Sequence, residues 1–449
     1  MLAGFWITAL LLFHVSSVAQ EHDPYRLSDI PTPLQIEADP PRPMMLFRLG
    51  ESFQHTGQLQ DGIAIPTGAV WHPALWVYGT YRTAMQTFDG SNGSVSEWAN
   101  RFDLFSHLRL SGTEHAVLSF RPVDKQGFLT GYYWDPETSP EGWHSDFNLD
   151  LGNLFFEGEI GQLVPALGTD IAFSVGKQPL VFQEGMIIND ALYGVGLAKN
   201  ALHPFGFSNL MASLLYGWGG INRETGEDDS ARLLSLFTEA DVSFGTVNAN
   251  LVYLMADKAT GDGLYTGFSS IQRLGRFSTA FYANASIPVG QETANNSRGF
   301  LLFSEFSFSP YARPDDIAYF NSFWAIDRFS SAARQTPGPL GRAGILFEPA
   351  GIGRYGAALA GLDLSPKAHD LFGAIFGYQI FLGSKRQQLT VELGGRKDTN
   401  DIQQGAGAVG MRYQRAVGQR FVMRVDTFTT WHQERDAAYG GRLETLIKI

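Results

Sequence analysis

The sequence predicts an all-β protein, a transmembrane antiparallel β-barrel with a short N-terminal periplasmic arm. Three observations predict this class. Segments of ten or so residues alternate apolar with polar side chains, which is the period of a β-strand. The connections between these segments alternate between short and long. Only 17% of the 449 residues are charged, whereas 13% are aromatic and 50 are glycine.

The composition excludes several other classes. The chain has no cysteine, so it has no disulfide framework, no cysteine-ligated metal and no thiol nucleophile. A net charge of −12 argues against nucleic-acid binding, which normally needs a basic surface. A mean hydropathy of −0.09 is too polar for a bundle of membrane helices.

Residues 1–19 predict a cleaved signal peptide. Residues 2–18 are the longest apolar run, and Ser17, Val18 and Ala19 place small residues at a cleavage site. A single membrane anchor is the alternative, but His14 interrupts the run and no basic flank follows it. We therefore expect export, and any membrane crossing by strands.

Residues 20–70 predict a proline-rich periplasmic arm. This stretch holds seven of the 21 prolines, and its seven acidic and three basic residues give it a charge of −4. Proline disfavours both helices and central strands. The apolar run Met44–Phe47 follows Pro40–Pro43 and suggests docking, either in the barrel from below or on a periplasmic partner protein. A disordered tail is the alternative.

Residues 71–449 predict the barrel. Leu389, Val391 and Leu393 alternate with Thr390, Glu392 and Gly394, and similar runs recur along the chain. Glycine, alanine, serine and threonine accompany charged residues on the polar face, which suits a wet lumen better than the outside of a β-sandwich. A membrane strand needs about 9–11 residues, apolar toward lipid.

The connections predict the strand number and the orientation. Short turns such as 111–114, 273–276 and 382–385 alternate with longer polar loops such as 88–97, 219–232 and 330–340. Because barrels of the outer membrane have short periplasmic turns and long outer loops, both chain ends are expected in the periplasm. We expect about eighteen strands, within a range of roughly sixteen to twenty, with the weakest segments near 115–133 and 341–349.

Two stretches resemble the alginate-export family of outer-membrane porins. They are the strand Arg101–Leu110 and residues 146–199, which include Asn153–Gly158, Ala172–Gln178, Gly185, Asn189, Asp190 and Tyr193–Val195. The resemblance covers about a third of the chain. It implies a Gram-negative outer-membrane barrel that exports an acidic polysaccharide.

The candidate substrate-binding residues are arginines on the lumen phase of the strands. They are Arg82, Arg101, Arg109, Arg121, Arg354, Arg396, Arg412 and Arg424. A guanidinium on a rigid strand can hold carboxylates in bidentate fashion. Alternatively, these arginines pair with lumen acids (Asp103, Glu392, Asp426, Glu444) and stiffen the wall. Residues 341–449 carry a net charge of +4 and the rest carries −16, so we expect a relatively basic sector and anion selectivity.

Residues 178–190 are predicted to fold inward and narrow the pore. This loop is too apolar to be left in water as an outer loop, since exposed apolar runs promote association. The candidate constriction residues are Lys177, Gln178, Glu184, Asn189 and Asp190. Packing over the barrel rim is the alternative.

We expect no catalytic residues, no metal and no cofactor. The ten histidines form no H-E-x-x-H or H-x-H motif, and no G-x-S-x-G motif occurs. The expected function is a porin-like channel of the outer membrane for anionic or polar solutes, with an alginate-like polysaccharide as the sharpest case. An uptake porin for small carboxylates or oligosaccharides is the alternative in the same fold. An outer-membrane hydrolase or a plugged structural barrel is the alternative of another class. The expected partners are outer-membrane lipid, the anionic polysaccharide or small solute, and a periplasmic protein.

Overall fold

The structure is a computed structural model. It describes residues 45–50, 62–90, 93–123, 130–134, 141–145, 147–204, 208–257, 260–335, 338–348, 352, 364, 367–400 and 404–449.

The described residues form a closed antiparallel barrel of eighteen strands, as the sequence predicts. In chain order these are β1 (Ala74–Gly90), β2 (Gly93–Arg109), β3 (His115–Phe120 and Thr130–Trp134), β4 (Gly142–His144 and Leu151–Glu159), β5 (Ile171–Phe182), β6 (Ile188–Leu202), β7 (Asn209–Gly219), β8 (Arg232–Val242), β9 (Gly245–Met255), β10 (Asp262–Leu274), β11 (Phe277–Val289), β12 (Gly299–Phe308), β13 (Ile317–Arg328), β14 (His369–Phe381), β15 (Gln387–Asp398), β16 (Gly405–Val417), β17 (Phe421–His432) and β18 (Ala438–Lys448). Each strand pairs with the next, and β18 pairs with β1, which closes the barrel and removes the sheet edges.

Along each strand, successive side chains point alternately to the outside and to the inside of the barrel. On β15, Val391 and Leu393 point outward and are exposed, whereas Thr390 and Glu392 point inward and are buried. The same alternation runs through β17, where Met423 is exposed on the outside and Asp426 is buried inside. This is the pattern of a wall with lipid on one side and polar groups on the other.

Strands β3 and β4 are the interrupted ones, and this matches the weak sequence signal near 115–133. Leu104–Arg109 of β2 pair with the first segment of β3, and Ser96–Asn100 pair with the second. The other weak segment, 341–349, supplies no barrel strand. Its described residues lie inside the barrel instead.

The remaining elements are short. A four-residue helix spans Ile160–Leu163, and 3-10 turns span Pro165–Leu167, Gln183–Gly185 and Pro339–Arg342. A hairpin of Ile221–Arg223 and Gly226–Asp228 follows β7, and Ala333–Arg334 form a two-residue strand. None of the described helices is long and apolar enough to span a membrane.

Two parts of the predicted organisation differ from the structure. The expected outer loop 88–97 is largely strand, because β1 extends to Gly90 and β2 begins at Gly93. The expected arm is partly structured: Phe47–Leu49 pair with Leu75–Val77 of β1, and Ile63–Ala64 pair with Val70–Trp71. Residues 1–44 and 51–61, with the signal peptide and most of the arm, lie outside the described residues, so the boundaries at 19 and 70 stay predictions.

Candidate functional site: a charged cavity beside an inward-folded hairpin

The tip of the β5–β6 hairpin leaves the barrel wall. The ladder between β4 and β5 ends at the pair Leu154–Lys177, and the ladder between β6 and β7 begins only at Tyr193. Between these points, β5 and β6 pair with each other and with no other barrel strand among the described residues. We call residues 178–192 the inner hairpin.

The inner hairpin extends through the lumen as far as β10 and β11. Ile187 and Gln183 lie so close to Gly267 of β10 that a β-carbon there would meet them at 2.5 and 2.7 Å. The Asn284 Nδ2 of β11 donates to the Met186 Sδ at 3.5 Å. Strands β7, β8 and β9 separate these partners along the wall, so the contact runs through the lumen.

A second segment lies beside the inner hairpin. We call residues 329–335 and 338–348, from the long connection between β13 and β14, the strap. Ala333 and Arg334 pair in parallel with Ile188 and Asn189. The Ala332 N–H donates to the Ile187 carbonyl at 2.9 Å, and the Ser331 hydroxyl donates to the Met186 carbonyl at 2.7 Å. The hairpin and strap thus share backbone hydrogen bonds inside the barrel.

The strap is also anchored to the wall by Glu392 of β15. The buried Glu392 carboxylate accepts the backbone N–H groups of Ile345 and Leu346, each at 2.9 Å, and the Tyr319 hydroxyl. Gly344 is required here, because a β-carbon would meet the carboxylate oxygens at 2.5 and 2.7 Å. Because the buried Glu392 carboxylate accepts three hydrogen bonds, it fixes the position of the strap along the barrel axis.

Arg342 joins the strap to both the hairpin and the wall. Its guanidinium lies 2.8 Å from a carboxylate oxygen of Glu184 and 2.8 Å from one of Glu305 on β12. Burial alone would lower the pKa of Arg342, but the Glu305 carboxylate raises it above its usual value. Burial lowers the pKa of the neighbouring Arg334 to about 10. Both groups are cations at neutral pH.

Apolar side chains of the strap pack against the inward faces of β13, β14 and β16. Leu340, Leu346 and Phe347 are at most 1% exposed and pack with Phe323 and Ile375 of the wall. A second buried cluster joins the inner hairpin to the inward faces of β7–β10; it comprises Ile187, Ile188, Leu192, Leu215, Ile221, Ala231, Leu233, Phe237, Val252, Leu254, Tyr265, Ala332 and Ala333.

A cavity of about 600 Å³ lies beside these clusters. Strands β1–β4 form one wall, and the inner hairpin with its neighbours forms the other. The charged lining residues are Arg101, Asp103, Arg121, Asp150, Lys177, Asp190 and Glu227; the others include Phe105, Phe120, Leu151, Pro179, Val181, Asn189, Asn222 and Gln335. This cavity is the candidate site.

The structure brings Arg101 and Arg121 together at this cavity. Both guanidiniums contact the Asp103 carboxylate, at 2.8 and 3.1 Å. The Arg121 side chain is 40% exposed and the most accessible of the three. Arg82 lies nearby on β1 and pairs with Glu444 at 2.7 Å.

Two further predicted arginines are buried in the wall. Arg396 is 1% exposed and pairs with Asp398 at 2.5 Å. Arg412 pairs with Asp426 at 2.7 Å and also contacts Glu348 of the strap. Pairing with lumen acids, the alternative drawn from the sequence, describes these two arginines.

The last three predicted arginines lie elsewhere. Arg109 lies over the Trp76 ring near the periplasmic end of β2, with its guanidinium carbon 5.4 Å from the ring centre. Arg424 is half-buried on the lumen phase of β17, directly opposite Glu444. Arg354 lies outside the described residues.

The five predicted constriction residues all belong to the inner hairpin or its base. Lys177, Asn189 and Asp190 line the cavity. Gln178 is buried, and Glu184 makes the ion pair with Arg342. Their role in narrowing a pore stays a prediction.

Sequence reasoning missed the strap and the Ile221–Asp228 hairpin. Residues 219–232 and 330–340 read as polar outer loops, because neither has the alternating pattern that marks a lumen face. Leu340, Leu346 and Phe347 could have indicated the strap, because side chains this apolar are unfavourable in a solvated loop. No group of three or more His, Asp or Glu side chains among the described residues has the arrangement of a metal site.

Solved outer-membrane channels share this architecture. The chain is similar to a BenF-like porin from Pseudomonas fluorescens Pf-5, with a TM-score of 0.58, 10% identity, and coverage of 84% of this chain and 98% of that chain. It is also similar to OccK2 (OpdF) from Pseudomonas aeruginosa, with a TM-score of 0.56, 12% identity, and coverage of 84% and 97%. OpdK from Pseudomonas aeruginosa, in a structure with vanillate, gives a TM-score of 0.55, 12% identity, and coverage of 84% and 98%.

No protein-family model and no curated protein matches the chain. The resemblance to the alginate-export family therefore stays a prediction. The similar structures are porin channels, and at their low identity they establish the fold. The chain is an eighteen-strand outer-membrane β-barrel with the architecture of a porin.

Proposed function

We propose that the protein is a substrate-selective channel that takes up small carboxylates across the outer membrane. The observation that carries this proposal is the divided lumen, in which the strap and inner hairpin fill one part and leave a charged cavity beside them. Arg101 and Arg121 both contact the Asp103 carboxylate, and the Arg121 side chain remains 40% exposed beside the cavity. Guanidinium groups on rigid strands suit the recognition of carboxylates.

The comparisons support the same size and class of solute. The OpdK structure similar to this fold contains vanillate, a small aromatic carboxylate. An acidic polysaccharide would need a lumen that admits a polymer along its whole length. Leu340, Leu346 and Phe347 pack against the wall and reduce the cross-section of the lumen that is open to a solute. This arrangement favours small solutes over the polymer.

Purified protein in planar bilayers tests the proposal. Addition of a small carboxylate such as benzoate or succinate should reduce the chloride current by occupying the cavity, with half-block at millimolar concentrations or below. Alginate oligomers of increasing length should lose this effect as they exceed the cavity. Block that strengthens with oligomer length would instead support polysaccharide export.

A matched pair of variants tests whether the carboxylate blocks the current at the cavity. In Arg121→Gln, the carboxylate should block more weakly because the exposed member of the arginine pair is neutral. Arg276→Gln removes a charge that lies over Tyr311 at the periplasmic turn between β10 and β11, outside the cavity lining, and should leave the block unchanged. Equal block in both variants would contradict a role for the cavity.

A further inference from the structure

We infer that the outer surface of β10–β13 binds a phosphorylated lipid of the outer leaflet, with the chemistry of lipid A. This site lies on the outside of the barrel, so it is separate from the proposed channel and from its solute. Two features on neighbouring strands carry the inference. One is a pair of arginines without an acidic partner at the extracellular rim, and the other is an apolar groove below them.

The arginine pair consists of Arg298 and Arg328. Arg298 directly precedes β12, and the Arg328 backbone N–H at the end of β13 donates to the Arg298 carbonyl at 3.2 Å. The two residues therefore lie side by side. Strand β12 has 10 residues, which is about the length that crosses a bilayer. Its first residue, and the arginine pair with it, thus lies at the level of the outer head groups.

Neither arginine has an acidic partner among the residues that the structure describes. Both side chains are exposed, and neither makes an ion pair or a side-chain hydrogen bond there. The neighbouring Asp327 is also exposed and pairs with neither of them. Two adjacent guanidiniums repel each other, and an anion bound to both relieves the repulsion. Phosphate suits this position, because guanidinium groups bind it in bidentate fashion.

Below the arginine pair, the outer face of β12 and β13 is apolar. Phe300 and Leu302 follow Arg298 on the same strand phase, Trp324 precedes Arg328 on its phase, and all three are exposed. Aromatic side chains of this kind are typical of the membrane interface. A ligand at this place therefore meets cations at the rim and an apolar surface beneath them.

A groove of about 420 Å³ adjoins this apolar surface. Small residues, among them Ala283, Ser304 and Ser322, line it together with large ones such as Phe268 and Trp324. The Ser304 and Ser322 hydroxyls lie 2.7 Å apart and hydrogen-bond to each other, so they satisfy one another. The volume lies within the roughly 300–1,000 Å³ of small-ligand sites. An apolar groove of this size suits an acyl chain.

Charge and position together identify the occupant as a lipid with phosphate groups. A second copy of the chain would cover the groove with apolar side chains but would leave the two arginines without an anion. Lipid A combines phosphate groups with several acyl chains and occupies the leaflet at the extracellular end of the barrel. Its phosphate would bind Arg298 and Arg328 while one of its acyl chains lies in the groove.

Native mass spectrometry of the purified protein tests the inference. Lipid A with both phosphates and its dephosphorylated form are the matched ligands. We expect the wild type to bind the phosphorylated form about ten-fold more tightly, and Arg298→Gln/Arg328→Gln to reduce this ratio toward one. Equal binding of the two forms by the wild type would overturn the inference.

Two further variants locate the site. Arg232→Gln is the matched control, because Arg232 is the exposed first residue of β8, at the same end of the barrel but outside the groove lining. It should keep the wild-type ratio, and a loss equal to that of the double variant would contradict a site at Arg298 and Arg328. Ser322→Leu fills the groove and should weaken binding of both lipid forms. Unchanged binding in this variant would overturn the assignment of the groove.

A competing lipid separates lipid A from phosphorylated lipids in general. Cardiolipin carries two phosphates and four acyl chains on a glycerol body, and we expect it to displace lipid A only in large excess. Displacement at equal concentration would overturn the assignment to lipid A. The proposed channel is tested independently, since block by benzoate should be the same in Arg298→Gln/Arg328→Gln as in the wild type.

Discussion

The two sides of the lumen contrast in what their inward faces carry. On β8–β14 the inward side chains include Leu233, Phe237 and Phe323, and the strap and inner hairpin cover them. On β1–β3 the inward side chains Phe88, Val95 and Ala99 belong to the same buried cluster as the strap, whereas Arg101 borders a cavity. The same alternating strands build both sides. The inward residue type therefore decides whether connecting segments pack into the lumen or leave it open.

The filled side is stabilised by burial of apolar side chains, as the core of a soluble protein is. Full burial of one large apolar side chain contributes about 1.5–3 kcal/mol. Leu340, Leu346 and Phe347 offer several such contributions to offset the entropy of ordering the strap. The cavity side is held by ion pairs and hydrogen bonds among charged groups. Substitutions on the two sides should therefore affect different measurements.

The largest expected effect comes from removing the apolar anchors of the strap. In the double variant Leu346→Ser/Phe347→Ser, the strap should detach from the wall and single-channel conductance should rise. Truncation of one buried phenylalanine alone costs about 3–5 kcal/mol. Phe244→Ser, at the exposed turn between β8 and β9, is the matched control and should conduct as the wild type does. Unchanged conductance in the double variant would show that the strap does not narrow the pore.

The next effect is on stability rather than conductance. Asp426 is fully buried between Arg412, at 2.7 Å, and Arg442, at 3.0 Å. Asp426→Asn removes the carboxylate that the two guanidiniums share. Breaking a buried pair costs up to about 3–5 kcal/mol, and less where each cation keeps a second carboxylate, as Arg412 keeps Glu348 and Arg442 keeps Glu444. The midpoint of urea unfolding in lipid, followed by gel mobility, measures the loss. A midpoint equal to that of Glu434→Gln, an exposed substitution, would contradict the role of this network.

A smaller effect is expected at the cavity, where it should appear in selectivity. Arg121 is 40% exposed, so Arg121→Gln should change the free energy of unfolding by about 0–1 kcal/mol only. The reversal potential in a salt gradient should move toward cation selectivity, and this shift should shrink at high salt because exposed charges are screened. Arg276→Gln is again the control. A shift of equal size in the control would assign the effect to the periplasmic mouth instead.

The strand period was sufficient to predict the barrel and the inward position of most of the arginines, and the alternating connections predicted the strand number. Arg101 and Arg396 both lie on the predicted lumen phase. Their different surroundings could not be predicted, because Arg396 is buried with Asp398 two residues along its own strand, while Arg101 borders a cavity. Alternation fixes which face a side chain occupies but carries no information about which connections fold over it.

The apolar composition of residues 178–190 pointed correctly to an element that avoids water. It could not identify the partners, since the Met186 and Ile187 carbonyls bind Ser331 and Ala332, about 145 residues later in the chain. The Arg342–Glu184 ion pair likewise joins two connections that are far apart in the chain. Two connections can make contact only once the closed barrel brings them together. A local sequence pattern therefore cannot predict which connections meet.

The smallest expected effect concerns Arg424, and it refines the contrast between lumen sides. The sequence predicts anion selectivity from a set of lumen arginines that includes Arg396 and Arg424. Of these two, only Arg424 is partly accessible, and it lies opposite Glu444. Arg424→Gln should therefore move the reversal potential toward cations by less than Arg121→Gln does. Arg396→Gln should leave the reversal potential unchanged and lower the unfolding midpoint, as Asp426→Asn does. If Arg424→Gln has the larger effect on selectivity, the main path of ions lies along β17 rather than through the cavity beside β2 and β3.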